Sequence, residues 1–532
     1  MPNLADAFTR LDRYLQRKTK ETRAAGFAVA VTDRKKLLGV RTYGYADVAA
    51  RKPITSKTLF EIGSIGKSFT AIALLQLHEA GKLDLHAPIT HYLPWFQVRS
   101  QYEPITVHHL LSHTAGIVSS PDLTSDSRYD VYALRETETG YSPGAHFYYS
   151  NVGFRALGFL LETLTGQSYA DAIRTRILEP LGMKATDPVI THETRKRLAM
   201  GHQRLYDDRP THPTHLLVPA TWLETGTGDG SLACTAADLA TYLRALLNHG
   251  RNLISEDSFK LMTARVIEED VPGWFYGYGL GTFEDEGFAC LGHGGDMPGY
   301  SAGMQGDLDT GVGVCLFVNQ SQVFGITSHL LTLFRAALRG EELPPLSPPA
   351  EPSKIANAAD YAGTYRAGGK TLTLVAKGRQ LTLRHGGERI PLEARETDTF
   401  FVNHPDFALF LLSFGRVGGA VVEALHGPDW YVNERYTGAT HFEAPAEWAN
   451  YVGHYRSHSP WLSNFRVVLR KGALMQITPD GTGTPLAPMP DGSFRVGAEA
   501  HSPERLRFDS VVDGQALRAT LSGHPYYRAF TA

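Results

Sequence analysis

Gly63-Ser64-Ile65-Gly66-Lys67-Ser68-Phe69-Thr70-Ala71-Ile72-Ala73-Leu74-Leu75-Gln76-Leu77 joins a Ser-x-x-Lys pair to a nearly all-apolar run. At helical spacing, residues three apart share a face, so the Lys67 ammonium comes within hydrogen-bond reach of the Ser64 hydroxyl. A lysine on an element with so little polar surface loses its proton more easily than one in water, and a base beside an alcohol makes a nucleophile. The positive end of the helix adds to both effects. A helix cap followed by a surface lysine is the other reading of the same residues.

Working outward, the surrounding segment mixes two periods. Leu4 to Lys20 reads as an amphipathic helix, and Gly26 to Thr32 with Leu37 to Tyr45 read as paired strands. Ser64 to Ala80 reads as a buried helix ended by Gly81, and Val152 to Leu164 as another. Phe288 to His293, Gly299 to Gln305 and Gly313 to Asn319 then alternate as consecutive antiparallel strands, the last two joined by a turn at Asp307 to Gly311. Strands at both ends with helices between imply an α+β fold, an antiparallel sheet covered by helices.

The second part of the chain is different. Five prolines between Gly340 and Pro352 mark a linker. Beyond it, Tyr361-Ala-Gly-Thr-Tyr365-Arg366 returns as Tyr451-Val-Gly-His-Tyr455-Arg456. At an offset of 94, Lys377-Gly378 matches Lys471-Gly472, Pro391-Leu392 matches Pro485-Leu486, Phe400 matches Phe494 and Phe414 matches Phe508. Landmarks in register argue a duplication. Each copy is short alternating strands with Gly-rich turns, predicting two small antiparallel β-barrels or sandwiches joined near Thr437 to Ala446. The expected domains are 1–338, a linker at 339–354, and barrels at 355–440 and 441–532.

A net charge of −3 over 532 residues gives no electrostatic reason to expect nucleic acid or an anionic membrane as partner. Cys234, Cys290 and Cys315 form no CxxC pair, so neither a disulfide framework nor a thiolate metal cluster is expected. Leu4 to Arg23 carries charges throughout, unlike a signal peptide, and no segment reaches the ~18 apolar residues of a membrane span. A cytoplasmic protein is the expectation, and exposed barrel edges would offer a route to a homo-oligomer.

Two further constellations carry chemistry. Tyr149-Ser150-Asn151 stands before a predicted helix and offers a phenol for proton transfer beside an amide that can fix a substrate carbonyl. Gly292-His293-Gly294-Gly295-Asp296 lets a ligand approach the backbone, and the Asp296 and Ser64 amides could form an oxyanion hole. Taken singly, each also fits a packed tyrosine with a capping Asn, or a histidine in a tight turn.

In this order, the three elements resemble the SxxK, YxN and [KH]xG signatures of the class C β-lactamase and penicillin-binding-protein superfamily of serine hydrolases. Leu110-Leu-Ser-His113-Thr-Ala-Gly116, Gly228-Asp-Gly230-Ser-Leu-Ala-Cys-Thr235, Tyr276-Gly-Tyr-Gly-Leu-Gly281 and Pro298-Gly-Tyr-Ser-Ala-Gly303 extend the likeness across about residues 10 to 335. The resemblance implies that Ser64 is the acylated nucleophile, Lys67 and Tyr149 the proton-transfer pair, Asn151 the substrate-orienting amide, and His293 the counterpart of the third-motif cation. The class C enzymes typically carry lysine there, a permanent charge for a substrate carboxylate, whereas His293 is mostly neutral near pH 7.

A catalytic domain followed by two barrels is similar to the layout of the three-domain D-aminopeptidases, whose barrels are lipocalin-like. There, a loop of the last barrel reaches the active site; Ile477 to Gly492 is the candidate counterpart, and a solvated hairpin is the reading its own residues favour.

Rival signals are weaker. Gly299-Tyr-Ser301-Ala-Gly303 matches a GxSxG elbow but lacks the helix that must follow the serine. Gly66-Lys67-Ser68 resembles the end of a phosphate-binding loop, but the earlier glycine it requires falls on Glu61. His109 with His113, and His212 with His215, lack an acid or cysteine to complete a metal site, so no metal and no cofactor are expected. The expected activity is an acyl-enzyme serine hydrolase acting on small amides or peptides. Carboxylesterase action with little or no β-lactamase activity is the alternative, and a non-catalytic penicillin-binding or sensing module is the alternative of another class.

Overall fold

The structure is a computed structural model of the full chain and describes residues 2–120, 126–321, 325–346 and 348–529. The chain divides into two compact units, one of Met1–Gln203, Leu216–Ser347 and His501–Pro503, the other of Arg204–His215, Pro348–Ala500 and Glu504–Ala532. Ser347, inside the proline-rich segment, lies outside the described residues.

The first unit is built on a nine-stranded antiparallel sheet. Its strands are β1 (Gly26–Thr32), β2 (Leu37–Asp47), β3 (Lys52–Pro53), β4 (Ile267–Glu268), β5 (Trp274–Tyr276), β6 (Gly281–Asp285), β7 (Phe288–Met297), β8 (Tyr300–Asp307) and β9 (Gly313–Val318), in the order β3-β2-β1-β9-β8-β7-β6-β5-β4. The two ends of the unit meet where β1 pairs with β9, Phe27 opposite Val318. Every residue of β1 is buried, which is why it reads as an unbroken apolar run rather than an alternation.

Helices cover both faces. On one, α1 (Pro2–Thr22) presents Ala7, Leu11 and Leu15 to Leu330 and Phe334 of α5 (Thr327–Arg339). On the other lie α2 (Gly66–Glu79) and α4 (Ala236–Leu247), and α3 (Asn151–Thr165) packs against α2 in the same core. Arg335, from α5, is buried against the sheet and ion-paired with Asp307 at 2.6 Å and Asp285 at 2.8 Å, so its charge is compensated where it is desolvated. Ser64 sits in a 3-10 turn, Gly63–Ile65, just before α2 instead of in its first turn, because Gly63 adopts φ +51°. Cys234, Cys290 and Cys315 are free and buried.

The other unit holds two closed eight-stranded barrels, Gly363 to Val432 and Gly453 to Arg528, each around its own core. The repeated motif has one structural job in both. Tyr365 Oη donates to Tyr361 O at 3.0 Å and Tyr455 Oη to Tyr451 O at 2.8 Å, pinning the entry of the chain to a buried ring. Closure leaves neither barrel the exposed edges expected from sequence. Within 477–492, Gly483–Pro488 is a barrel strand. Among the described residues no helix is long and apolar enough to cross a membrane.

Candidate active site

From Leu59 to Leu75 every residue is buried except Ser64, so the turn opens the core at a single hydroxyl. Gly63 and Gly66 at that turn, and Gly230 from a distant segment, let the backbones cross closely. A Cβ on Gly63 would lie 2.6 Å from Asp296 N, one on Gly230 would lie 2.7 Å from Gly63 C, and one on Gly66 would lie 3.1 Å from Gly230 Cα. Only bare backbone lets these segments cross.

Lys67, fully buried, donates to Ser64 Oγ at 2.9 Å, Asn151 Oδ1 at 2.7 Å and Asp229 O at 2.9 Å. Its Nζ also lies over the Tyr149 ring, 4.8 Å from the centroid. Burial pushes the ammonium down to about 7; Asp229 opposes the shift and Arg155 assists it. Burial disfavours the Asp229 carboxylate too, yet Arg155 and Lys67 hold it below the usual range, with Arg155 Nε 3.1 Å from Asp229 Oδ2 and Nη1 2.6 Å from Asp130 Oδ2. Ser68 and Thr70, buried behind the lysine, are satisfied by Tyr242 Oη at 2.8 Å and Gly228 O at 2.7 Å.

Ser150 is the N-cap of α3, its Oγ accepting from Gly153 N, which sets Asn151 as the first helical residue and Tyr149 just outside. Burial raises the Tyr149 phenol well above its ordinary range, and a hydrogen bond with Ser64 only partly opposes this. Behind this segment stands His113, buried and at φ +57°, whose Nδ1 accepts Ser150 N–H at 3.0 Å. Its ring lies 4.2 Å from that of Tyr149 and 4.7 Å from that of Tyr276. Burial and Lys67 keep His113 neutral, so its proton is on Nε2, which has no hydrogen-bond partner among the described residues.

His293 lies on β7, Nδ1 2.5 Å from Gly294 O and Nε2 2.9 Å from Tyr276 Oη. A carbonyl only accepts, so Nδ1 carries the proton and Nε2 accepts from the Tyr276 phenol. Burial, reinforced by Lys67, lowers His293 to about 4, so it is uncharged at neutral pH. Asp296 pairs with Ser301 one step beyond the Met297–Tyr300 pair that closes the Pro298-Gly299 turn. That non-hydrogen-bonded position turns the Asp296 N–H and C=O outward, toward Gly63, as the close approach of Gly63 to both atoms requires.

The structure thus brings Ser64, Lys67, Tyr149 and Asn151 together, with His293 and the Asp296 amide on the facing strand. Ser301 stands apart, buried within β8 with its Oγ donating to Asp296 Oδ1 at 2.9 Å, and no helix follows it. His109 closes a capping box with Thr106, whereas His113 lies beyond the end of that helix. His212 is 3.1 Å from Glu393 and stacked on Phe401. Sequence reasoning assigned no role to Arg155, Tyr276 or Asp130; each is far in sequence from the partner that gives it meaning.

The β-lactamase family profile matches residues 11–327. The chain belongs to the β-lactamase family. Penicillin-binding protein 4 of Amycolatopsis lactamdurans is 29% identical over 338 residues, 59% of this chain and 87% of that protein. The octameric penicillin-binding protein homologue of Pyrococcus abyssi superposes with a TM-score of 0.60 at 26% identity, covering 80% of this chain and all of that one. The D-amino acid amidase of Ochrobactrum anthropi SV3, solved with L-phenylalanine amide, superposes at 0.51 with 26% identity, over 60% of this chain and 92% of that one. This β-lactamase-family chain therefore has both penicillin-binding proteins and an amidase among the proteins it resembles.

Proposed function

We propose that the protein is a serine hydrolase that acts through an acyl-enzyme on small amide or peptide substrates, with Ser64 as nucleophile. The observation that carries the reading is the 2.9 Å contact of Ser64 Oγ with a lysine whose burial brings it to about 7. Once deprotonated, Lys67 donates to Asn151 Oδ1 and Asp229 O and turns its lone pair to the Ser64 hydroxyl. Ser64 Oγ then bonds to the substrate carbonyl carbon, its proton passes to Lys67, and the oxyanion is held by the Ser64 and Asp296 amides. The carbon–nitrogen bond breaks as the amine leaves with a proton from Lys67, relayed by Tyr149, which stays a phenol. Water, activated in the same way, cleaves the Ser64 ester and frees the acid.

Neutral His293 favours substrates without a carboxylate at that position, because no permanent cation stands there to hold one. The likeness to an amidase named for D-amino acids supports the same substrate class. The test is a fluorophosphonate probe followed by a substrate panel. Labelling that disappears in Ser64→Ala supports the assignment, and labelling that survives it refutes it. D-alanine p-nitroanilide should turn over faster than its L-form, p-nitrophenyl butyrate or nitrocefin; hydrolysis of the ester alone would overturn the amide preference.

A further inference from the structure

We propose that His385, His404 and Asp406 form a binding site for a zinc-class divalent metal ion at one end of the first barrel. One ligand atom from each lies within 4.8 Å of the other two. His385 Nε2 is 2.6 Å from Asp406 Oδ2, and His404 Nδ1 is 3.9 Å from the same oxygen. Two imidazoles and one carboxylate, with a fourth position open to water, are a donor set that suits tetrahedral zinc. The three side chains are 36%, 22% and 62% exposed, so an ion can enter without the barrel opening.

The ligands are held by backbone. His385 ends the strand Gln380–His385 and pairs with Glu388 across a two-residue turn, Gly386-Gly387, with φ +56° and +85°. His404 is the N-cap of the 3-10 turn Pro405–Phe407, its Nδ1 accepting Asp406 N–H at 3.2 Å. Buried Phe407 packs edge-on against the His385 ring at 5.2 Å and near that of His404 at 6.2 Å, which fixes where the imidazoles sit. On binding, the ion replaces the Nε2 proton between His385 and Asp406, and that proton moves through solvent to Nδ1. The 3.2 Å amide contact at His404 is weak enough to yield to a metal–nitrogen bond of about 2.0–2.1 Å.

The duplication provides an internal comparison. Thr382 and Met475 face the equivalent prolines, Pro391 and Pro485, and Val402 and Val496 face Leu392 and Leu486. Carried along those strands, the counterparts of His385, His404 and Asp406 are Thr478, Ala498 and Ala500. A closed barrel of this kind therefore forms without the cluster, and packing does not account for it. No pattern in the sequence announces it, since one histidine ends a strand, the other caps a turn beyond the next two strands, and they lack a motif spacing.

The experiment uses the full chain stripped with chelator and dialysed. Zn²⁺ is titrated by calorimetry, and Co²⁺ is followed by its visible ligand-field absorption. Expected are about one ion per chain at the strongest site, a tetrahedral cobalt spectrum, and loss of affinity by about tenfold or more in His385→Ala, His404→Ala and Asp406→Asn. Far-UV circular dichroism checks that each variant folds, and zinc should raise the thermal midpoint of the wild-type chain but not of the variants. Zinc and cobalt binding of the same stoichiometry and affinity in all four proteins would overturn the proposal. So would the absence of zinc binding at about 0.1 mM, well above the micromolar range of a built site.

Discussion

In the proposed mechanism, Lys67 sets how the activity depends on pH. Its ammonium titrates at about 7 in the folded chain against an ordinary 10.5, so kcat/KM should rise along an acid limb with an apparent pKa near 7 as the free base forms. Lys67→Arg, which cannot deprotonate, should lose that limb and about 10²- to 10⁴-fold in rate, measured on the amide substrate. Stability follows the same group. Between about 7 and 10.5 the unfolded chain binds the extra proton, so the unfolding free energy gains from Lys67 as pH climbs through that window.

His113 belongs to the same scale, and its Ser-His-Thr setting was legible, but its work was not. It accepts one amide and presses one ring on Tyr149. His113→Asn keeps a residue tolerant of φ +57° while removing the ring. We expect kcat to fall about 10- to 100-fold through misplacement of Tyr149, with the Lys67 limb displaced in the pH profile. An unchanged profile would leave His113 a merely structural residue.

At the level of elements, the site is a crossing of a turn and a strand edge. The spacing of Ser64 and Lys67 gives their common face, and the apolar run predicts the helix, because both are local properties of 3.6-residue periodicity. The approach of Gly63 to Asp296 is not local, since it needs the sheet to put β7 beside the turn. Gly63→Ala would strain φ +51° and drive a methyl group into the Asp296 backbone. Labelling of Ser64 by the fluorophosphonate should slow by at least about tenfold, as for a displaced oxyanion donor, with the far-UV spectrum unchanged.

Over the whole molecule, separate cores predict separable stability. Leu383 is fully buried in the first barrel, in a core that shares no residue with the one around α2. Leu383→Ala should cost about 2–5 kcal/mol in the barrel's calorimetric transition while leaving the Ser64 labelling rate at its wild-type value. A parallel loss of labelling would show that the units unfold as one.

Short-range periodicity and repetition sufficed to read the shared face of Ser64 and Lys67, the order of the three motifs, the α+β class and the duplicated barrels. The sequence by itself misjudged the barrel edges, since closure depends on how the first and last strands meet. Tertiary structure alone decided that Lys67 is wholly desolvated, that His293 is a neutral Nδ1–H tautomer, and that Arg155 bridges Asp130 and Asp229 behind the lysine. Those properties depend on which distant atoms surround a group, and a dielectric environment has no signature in the linear order of residues.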